Sequence, residues 1–169
     1  ARGNMHPNRA VTRAEFISML NRALNYTQYD SQQLPFTDMT GEEWYATHIR
    51  VAYSQGYFSG VAPNRAGATE PITREAAAAM LCRNVKIESN TLQLTQFTDG
   101  TSISQWSRGS VGAAVDKGYM KGYEDGTFRP KNNISRAEAA TMLSNALGTI
   151  LSQSGTYSGL YDGNVTLTS

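Results

Sequence analysis

The chain has 169 residues, of which 40% are apolar and 17% are charged, as is typical of a globular protein. Its formal charge is only +1, so the charge gives no reason to expect DNA, RNA or an anionic membrane as a partner. The apolar stretches are interrupted within a few residues, which predicts no membrane insertion. Cys82 is the single cysteine, which excludes an internal disulfide and is interpreted as a buried small apolar residue.

The first predicted element is a helix that begins after Thr12. Thr12 can cap the helix with its hydroxyl, and Glu15 stands where a capping box places the carboxylate that reaches back to the cap amide. Apolar residues then follow at helical spacing, which predicts one face turned toward a core. These residues are Phe16, Met19, Leu20, Ala23 and Leu24.

The next elements are a helix that begins near Trp44, a glycine turn and a second copy of the capped helix. The first of these helices has an apolar stripe at helical spacing, and Gly56 follows it as a C-terminal cap. The second copy of the capped helix begins after Thr73. Its capping box is incomplete, because Ala76 stands where a glutamate is needed and Glu75 comes one residue early.

The remaining elements repeat the earlier ones at a period of 61 or 62 residues. Such a period indicates structural repeats, which bury their apolar faces by packing together. The capped helix returns after Ser135 with Glu138 completing the box. The pairs that carry the repeat are Phe36-Thr37-Asp38 with Phe97-Thr98-Asp99, Trp44 with Trp106, Gly56 with Gly118, and Gly60 with Gly122, and the capped helices align at Arg13, Arg74 and Arg136.

Three copies of the capped helix but only two of the Trp-bearing helix are present. We therefore predict an all-α fold of tandem helix-pair repeats, packed as a pseudo-threefold helical bundle with an incomplete first repeat. The three capped helices should share one core. The missing outer helix should leave one flank exposed or covered by something else. The predicted parts are the second half of repeat one (1–26), repeat two (27–88), repeat three (89–148), and a linker that starts a β-rich region or packs on that flank (149–169).

These motifs resemble the S-layer homology (SLH) family. The third repeat carries the resemblance best, with Phe97-Thr98-Asp99, Trp106, the run from Gly118 to Pro130, and Ile134-Ser135-Arg136-Ala137-Glu138. The resemblance implies non-covalent binding of secondary cell wall polysaccharides, often with ketal-linked pyruvate, in grooves between repeats. By that similarity the groove residues are Arg13, Arg74, Arg136, Asp38, Asp99, Trp44, Trp106, Ser59, Gly60, Lys121 and Gly122.

Two departures from the family pattern limit the number of grooves. The second repeat has lost the Tyr-x-Asp-Gly turn and the Phe that follow Gly122 in the third, which puts the shape of its groove in doubt. The first repeat lacks its Asp, Trp and glycine turn. At most two grooves are therefore complete.

The chemistry of the repeated residues suits an acidic sugar, although each also has a purely structural interpretation. An arginine at the first helical position offers a carboxylate two parallel hydrogen bonds beside a helix N-terminus expected to have unpaired amides, or it simply pairs with a carboxylate of the protein. The tryptophans could stack on sugar rings or anchor the outer helices to the core. The aspartates could bind hydroxyls or cap turns, and the glycines could serve backbone geometry.

Catalysis is not expected, because no pair of carboxylates stands out beyond those explained by caps and turns. His6 and His48 have no partner at metal-ligand spacing, and the calcium-loop pattern near Asp125 is incomplete, so we predict no cofactor and no metal. The sequence thus predicts a non-enzymatic module that anchors an exported protein at the bacterial cell surface. The alternative is a helical protein–protein interaction module of a surface assembly, and another chain or segment could complete the first repeat.

Overall fold

The computed structural model describes residues 6–154, and for 149–154 it describes the backbone alone. Within that range the chain forms helices and isolated β-bridges but no strand, which confirms the all-α class. The five α-helices are α1 (Arg13–Ala23), α2 (Ala46–Ser54), α3 (Arg74–Val85), α4 (Arg108–Asp116) and α5 (Arg136–Ser154). Three short 3-10 helices, Leu92–Gln96, Gly100–Ser102 and Gln105–Ser107, precede α4.

The ends of the helices follow from the capping residues. At α1 the Thr12 hydroxyl accepts from the Glu15 amide while the Glu15 carboxylate accepts from the Thr12 amide, so the capping box is complete. The same reciprocal pair joins Ser135 and Glu138 at α5, whereas at α3 only the Thr73 hydroxyl takes part. Gly56 and Gly118 follow α2 and α4 with φ of +82° and +76°, as predicted for C-terminal glycines.

A closed ring of three backbone hydrogen bonds joins the repeats just before the capped helices. Val11 N–H donates to the Ile134 carbonyl (3.1 Å), Ile134 N–H to Ile72 (3.0 Å), and Ile72 N–H to Val11 (2.9 Å). These residues are repeat equivalents and are fully buried. The ring agrees with a pseudo-threefold arrangement, which for the whole domain stays a prediction.

The three inner helices α1, α3 and α5 meet in one apolar core, with α2 packed on α1 and α4 packed on α3. Equivalent contacts hold the two outer helices. The Asn21 side-chain amide donates to the His48 carbonyl (3.1 Å), and the Cys82 thiol donates to the Ser110 carbonyl (3.5 Å). A small void lies between the three inner helices. Its lining residues are Leu20, Ala23, Leu24, Leu81, Val85, Leu143, Ala146 and Leu147.

Cys82 is buried as predicted, and burial raises the pKa of its thiol to about 11. At the C-terminus, α5 continues past residue 148 as far as Ser154. The rest of the tail, for which a linker and a first β-strand are predicted, lies outside the described residues. None of the helices within 6–154 combines the length and apolarity needed to cross a membrane.

Within the described residues one flank of α5 is uncovered, as three capped helices with only two Trp-bearing helices predict. The four positions concerned are buried on α1 and on α3, where α2 and α4 cover them, but they are exposed on α5. These positions are Ala14, Ile17, Ser18 and Asn21 on α1, Glu75, Ala78, Ala79 and Cys82 on α3, and Ala137, Ala140, Thr141 and Ser144 on α5.

Arginine substitutions at one repeat position, on α3 and on α5, test this difference in exposure. Ala78→Arg should lower the free energy of unfolding by more than about 3 kcal/mol, since a long cationic side chain would enter a filled, fully buried site. Ala140→Arg, at the exposed equivalent position, should change it by about 0.5 kcal/mol or less. Urea unfolding followed by circular dichroism measures both, and equal losses would contradict the exposed flank.

Candidate binding cleft

A cleft lies between the end of α4, the glycine turn that follows it, and the first three turns of α5. Its volume is about 630 Å³. Arg74, at the start of α3, reaches it from the neighbouring repeat. The cleft is therefore built between two repeats, and its lining residues are Arg74, Gln96, Val115, Gly118, Tyr119, Met120, Lys121, Gly122, Tyr123, Ala137, Glu138, Thr141, Met142 and Asn145.

Arg74 ties the two repeats together at the base of this cleft. Its Nε donates to the Phe128 carbonyl (2.9 Å), one terminal nitrogen to the Lys121 carbonyl (2.9 Å), and the other to the Glu138 carboxylate (3.2 Å). The guanidinium also lies 4.6 Å and 4.7 Å from the ring centroids of Phe128 and Tyr123. Only 3% of the residue is exposed. Burial lowers the pKa of Arg74, although nearby Tyr123 and Glu138 raise it.

Glu138 and Tyr123 form the polar wall next to Arg74. The Glu138 carboxylate accepts from the Ser135 amide (3.0 Å), the Tyr123 hydroxyl and Arg74. Burial works to raise the pKa of Glu138, but these hydrogen bonds and the Arg74 charge outweigh it and keep the pKa below its ordinary value. The Arg129 guanidinium lies 3.8 Å from the Tyr123 ring centroid, so cations hold this ring in place.

The two predicted aspartates close loops and do not line the cleft. Asp99 accepts from the amides of Phe128 and Arg129, both at 2.8 Å, and Asp38 accepts in the same way from Ala66 and Gly67, both at 2.9 Å. Burial works to raise the pKa of Asp38, but the two amide hydrogen bonds outweigh it and lower the pKa. Each aspartate therefore has a structural role, but at a different place from the predicted one. It stabilises the loop after the glycine turn and not the turn before the outer helix.

The glycine turns serve close packing. A Cβ added to Gly122 would lie 2.5 Å from the Phe97 ring and 2.8 Å from the Thr127 carbonyl oxygen, and one added to Gly60 would lie 2.6 Å from the Phe36 ring. Gly60 also has a φ of +100°. Of the residues just before them, Lys121 is exposed at the cleft, and Ser59 is exposed in repeat two.

The tryptophans lie on the surface. Trp44 is 62% and Trp106 is 58% exposed, so the alternative that they anchor the outer helices to the core is wrong. Trp44 touches the rings of Tyr45 and His48 at their edges. Trp106 precedes α4 and is not among the residues that line the cleft. An indole does not face Arg74 in this cleft.

The other two predicted arginines lie in different surroundings. Arg13 donates to the Gly67 carbonyl (2.7 Å) and lies 3.8 Å from Glu70, which makes it the counterpart of Arg74 at the first junction. Burial lowers its pKa, while Glu70 raises it. Arg136 is half-buried, and within residues 6–154 no hydrogen bond or ion pair of its side chain is found.

The helix N-termini do not offer the free amides that the sequence suggests. The amides of Arg13, Arg74 and Arg136 donate to the carbonyls of Glu70, Asn132 and Arg9 at 2.8–2.9 Å. The next amide of each helix also donates to the neighbouring repeat, and the third donates to the cap hydroxyl. The expectation that these amides help to bind an anion is therefore wrong, since backbone carbonyls and caps already occupy them.

The junction at Arg13, between the first and second repeats, differs from the junction at Arg74, between the second and third repeats. The difference lies at positions equivalent to cleft residues. Val61 stands at the position of Tyr123, and Ala76 stands at the position of Glu138. Arg13 therefore meets neither a tyrosine ring nor a capping glutamate at its junction. The departure of repeat two from the family pattern thus falls at a position equivalent to a cleft residue, Tyr123.

Residues that line the cleft without being predicted as binding residues include Tyr123, Glu138, Gln96 and Asn145. The sequence favours a capping role for Glu138 over contact with a ligand, yet the same carboxylate completes the cap and lines the cleft. Tyr123 stands directly after Gly122 in the glycine turn, and its replacement by valine in repeat two was the available signal. Gln96 and Asn145 carry no repeated pattern, so only the fold reveals them.

Removal of the Arg74 side chain tests its linking role. Arg74→Ala should lower the free energy of unfolding by about 3–5 kcal/mol, because it leaves the carbonyls of Phe128 and Lys121 without this donor and removes the buried charge that pairs with Glu138. Arg136→Ala, at the repeat equivalent with a freer side chain, should cost about 0.5 kcal/mol or less. Chemical unfolding of the two variants gives the comparison. Similar stabilities would show that Arg74 does not hold the repeats together.

Acid unfolding tests the Glu138 cluster. Because the pKa of Glu138 is lowered on folding, its contribution is present above the ordinary value of 4.5 and is lost as the pH falls through the lower folded value. Glu138→Gln should therefore flatten the decline of stability between about pH 5 and pH 3. Urea midpoints at several pH values measure the slope, and a slope equal to that of the unchanged chain would refute the assignment.

Two stretches of the chain, residues 35–78 and 96–140, match the family model of the S-layer homology domain. Together they make up more than half of the chain. They lie within the predicted second and third repeats and confirm that the sequence is built from repeats.

Several curated proteins are similar to the chain. An amylopullulanase of Thermoanaerobacterium thermosulfurigenes is 36% identical over 141 residues, which is 81% of the chain and 8% of that protein. A cellulosome-anchoring protein of Acetivibrio thermocellus is 31% identical over 86% of the chain and 34% of its own length. A surface-layer 125 kDa protein of Lysinibacillus sphaericus is 26% identical over 87% of the chain and 12% of its own length. The chain thus spans a minor part of these relatives.

The chain covers only a small fraction of each relative, which limits what the relatives' names imply about its function. An enzyme name attached to a relative that matches over 8% of its length says nothing about catalysis in this chain. Names that denote surface-layer and anchoring proteins recur among the relatives and, with the family model, confirm the predicted place at the bacterial cell surface or wall. The two model matches, together with the repeated capped helices and glycine turns, show that the chain belongs to the S-layer homology domain family.

Proposed function

We propose that the chain anchors an exported protein to the bacterial cell wall by binding a secondary cell wall polysaccharide, and that the cleft beside Arg74 is its main binding site. The observation that carries the proposal is the cleft itself, about 630 Å³ in volume and built from two repeats around a buried guanidinium. This volume falls within the range that holds a small ligand or a few sugar rings. The repeats are proposed to divide at the predicted boundaries, 27–88 and 89–148.

The lining suits a hydroxyl-rich ligand. Gln96, Thr141 and Asn145 bring amide and hydroxyl groups, while Val115, Met120 and Met142 bring apolar surface. Such a mixture matches a sugar, which has polar edges and apolar faces. The Tyr123 ring adds a flat surface whose position is held by Arg129 and Glu138.

Two cations suit an acidic substituent such as a pyruvate ketal. Lys121 is exposed at the cleft, so its ammonium can approach a carboxylate without a large desolvation cost. Arg74 has five N–H groups, of which three make the hydrogen bonds described above, so donors of both terminal nitrogens are left for a ligand. Binding through Arg74 would keep the guanidinium in its planar, preorganised position.

The remaining predicted site residues are proposed to have weaker or indirect roles in binding. Arg13, Ser59 and Gly60 belong to the first junction, where Val61 and Ala76 leave a poorer site. Asp38 and Asp99 act through the loops they fasten. Trp44, Trp106 and Arg136 would contact parts of a long polymer that extend beyond the cleft.

Calorimetry with purified wall polysaccharide, freed of protein, tests the proposal. Lys121→Ala and Tyr123→Val should each weaken binding at least tenfold, since they remove the exposed cation and the ring. Val61→Ala, at the repeat equivalent of Tyr123, is the matched control and should change binding less than twofold. Mild acid treatment that removes pyruvate from the polymer should abolish most of the affinity.

Two results would contradict the proposal. One is full affinity in both cleft variants, with folding verified by circular dichroism. The other is binding of a surface protein but not of the protein-free polymer, which would favour the helical protein–protein interaction module. Release of reducing ends from the polymer would instead reveal catalysis.

A further inference from the structure

A buried carboxylate of α3 holds the turn that carries Trp106. Glu75, in the first turn of α3, is only 2% exposed. Its carboxylate accepts from the Ser104 amide (2.9 Å), the Ser104 hydroxyl (2.7 Å) and the Ser107 hydroxyl (3.0 Å). The Lys131 ammonium lies 3.6 Å away and compensates the buried negative charge. Because Ser104 and Ser107 stand on either side of Trp106, the backbone of this turn is held at both ends.

The same contact fixes the start of α4. Ser107 is the N-cap residue of α4 and is fully buried. Its hydroxyl donates to the Glu75 carboxylate, and its amide donates to the Ser104 carbonyl (3.0 Å). The first residues of α4 are thus held by α3 as well as by their own segment.

The equivalent turn of repeat two is held by a carboxylate of its own. Glu43 accepts from the amides of Thr40 (2.7 Å) and Gly41 (2.9 Å) and directly precedes Trp44. This contact is local in the chain, whereas the one at Glu75 joins two repeats. Both tryptophans therefore follow the same principle, in which a glutamate fixes the backbone beside the indole.

The position of this glutamate differs between the repeats. Repeat three has Gln105 where repeat two has Glu43, and α1 has Ala14 where α3 has Glu75. The loss of the local carboxylate in repeat three is thus accompanied by the gain of one on the neighbouring helix. What the two repeats share is a fixed turn, obtained with different residues.

Each fixed turn presents an exposed indole. Trp44 is 62% and Trp106 is 58% exposed. An indole has a large flat apolar surface, which suits the apolar face of a sugar ring. A side chain that is already held in position loses less conformational entropy when a ligand covers it. Fixing the turn therefore favours binding without adding a contact.

We infer that Glu75 is a positioning residue for polysaccharide binding, which holds Trp106 in the orientation that stacks on a sugar ring of the polymer. The inference rests on the proposed function and extends it beyond the cleft, because Trp106 lies outside the cleft lining. It also gives the first turn of α3 two tasks. Arg74 is linked to the cleft, and the adjacent Glu75 is linked to the turn of Trp106.

Fluorescence measures whether Glu75 restrains the indole. The chain has two tryptophans, so a W44F chain reports on Trp106 alone and a W106F chain on Trp44 alone. E75Q keeps the size of the side chain and one acceptor oxygen, whereas E75A removes the contact altogether. In the W44F chain both substitutions should raise the amplitude of fast local motion in time-resolved anisotropy, by about twofold or more for E75A. In the W106F chain they should leave the motion of Trp44 unchanged, since Glu43 holds that turn.

Calorimetry with the protein-free polymer measures the consequence for binding. W106A and E75A should each weaken binding about threefold or more, and E75Q should weaken it less than E75A. In the W106A chain the further change E75A should alter the affinity by less than about 1.5-fold, because a residue that acts through the indole has no effect once the indole is gone. Leu81→Ala, at a buried position further along α3, is the control for a general loss of stability and should leave the affinity within twofold.

Three results would overturn the inference. They are unchanged motion of Trp106 in E75A, full polymer affinity of W106A, and a loss on E75A that is as large with W106A as without it. If circular dichroism shows that E75A does not fold, the same comparisons with E75Q decide. Failure of the unchanged chain to bind the polymer would contradict the proposed function and the inference together, whereas each of the three results contradicts the inference alone.

Discussion

The fold depends on an exchange of backbone hydrogen bonds between neighbouring repeats. Each capped helix begins by donating its first two amides to carbonyls of the loop that leads into the next capped helix, and the last helix returns the exchange to the first. The ring of Val11, Ile72 and Ile134 lies at the centre of this arrangement. Because buried backbone groups must be paired, no repeat can form its helix start correctly without its neighbours. The helices therefore assemble as a set, and the junctions between them are where clefts arise.

The exchange also explains how the arginines are used. An arginine at the first helical position extends toward the glycine turn of the next repeat, as Arg74 does toward Lys121 and Phe128 and Arg13 does toward Gly67. Its first task is to satisfy the carbonyls of that turn. Binding of an acidic sugar would use the donors that are left. Structural and binding interpretations of these arginines are therefore compatible.

Much of the fold could be predicted from the sequence because its signals are local. The capping boxes at Thr12 and Ser135, the glycine caps at Gly56 and Gly118, and the uncovered flank all follow from residue types and a repeated period. The site could be predicted only in part. The burial of Arg74, the exposure of Trp106 and the loop-closing role of Asp99 depend on contacts between residues far apart in the chain, which no local pattern records. For Glu138 the sequence favours capping over contact with a ligand, because the local role as a cap already explains the residue.

The buried thiol of Cys82 has a consequence for chemistry outside the cell. With a pKa of about 11, roughly one thiol in ten thousand is ionised at neutral pH. Oxidants and exchange partners react with the thiolate, so this sulfur is nearly inert while the helices stay packed. The sulfur becomes reactive only in molecules whose inner and outer helices have separated.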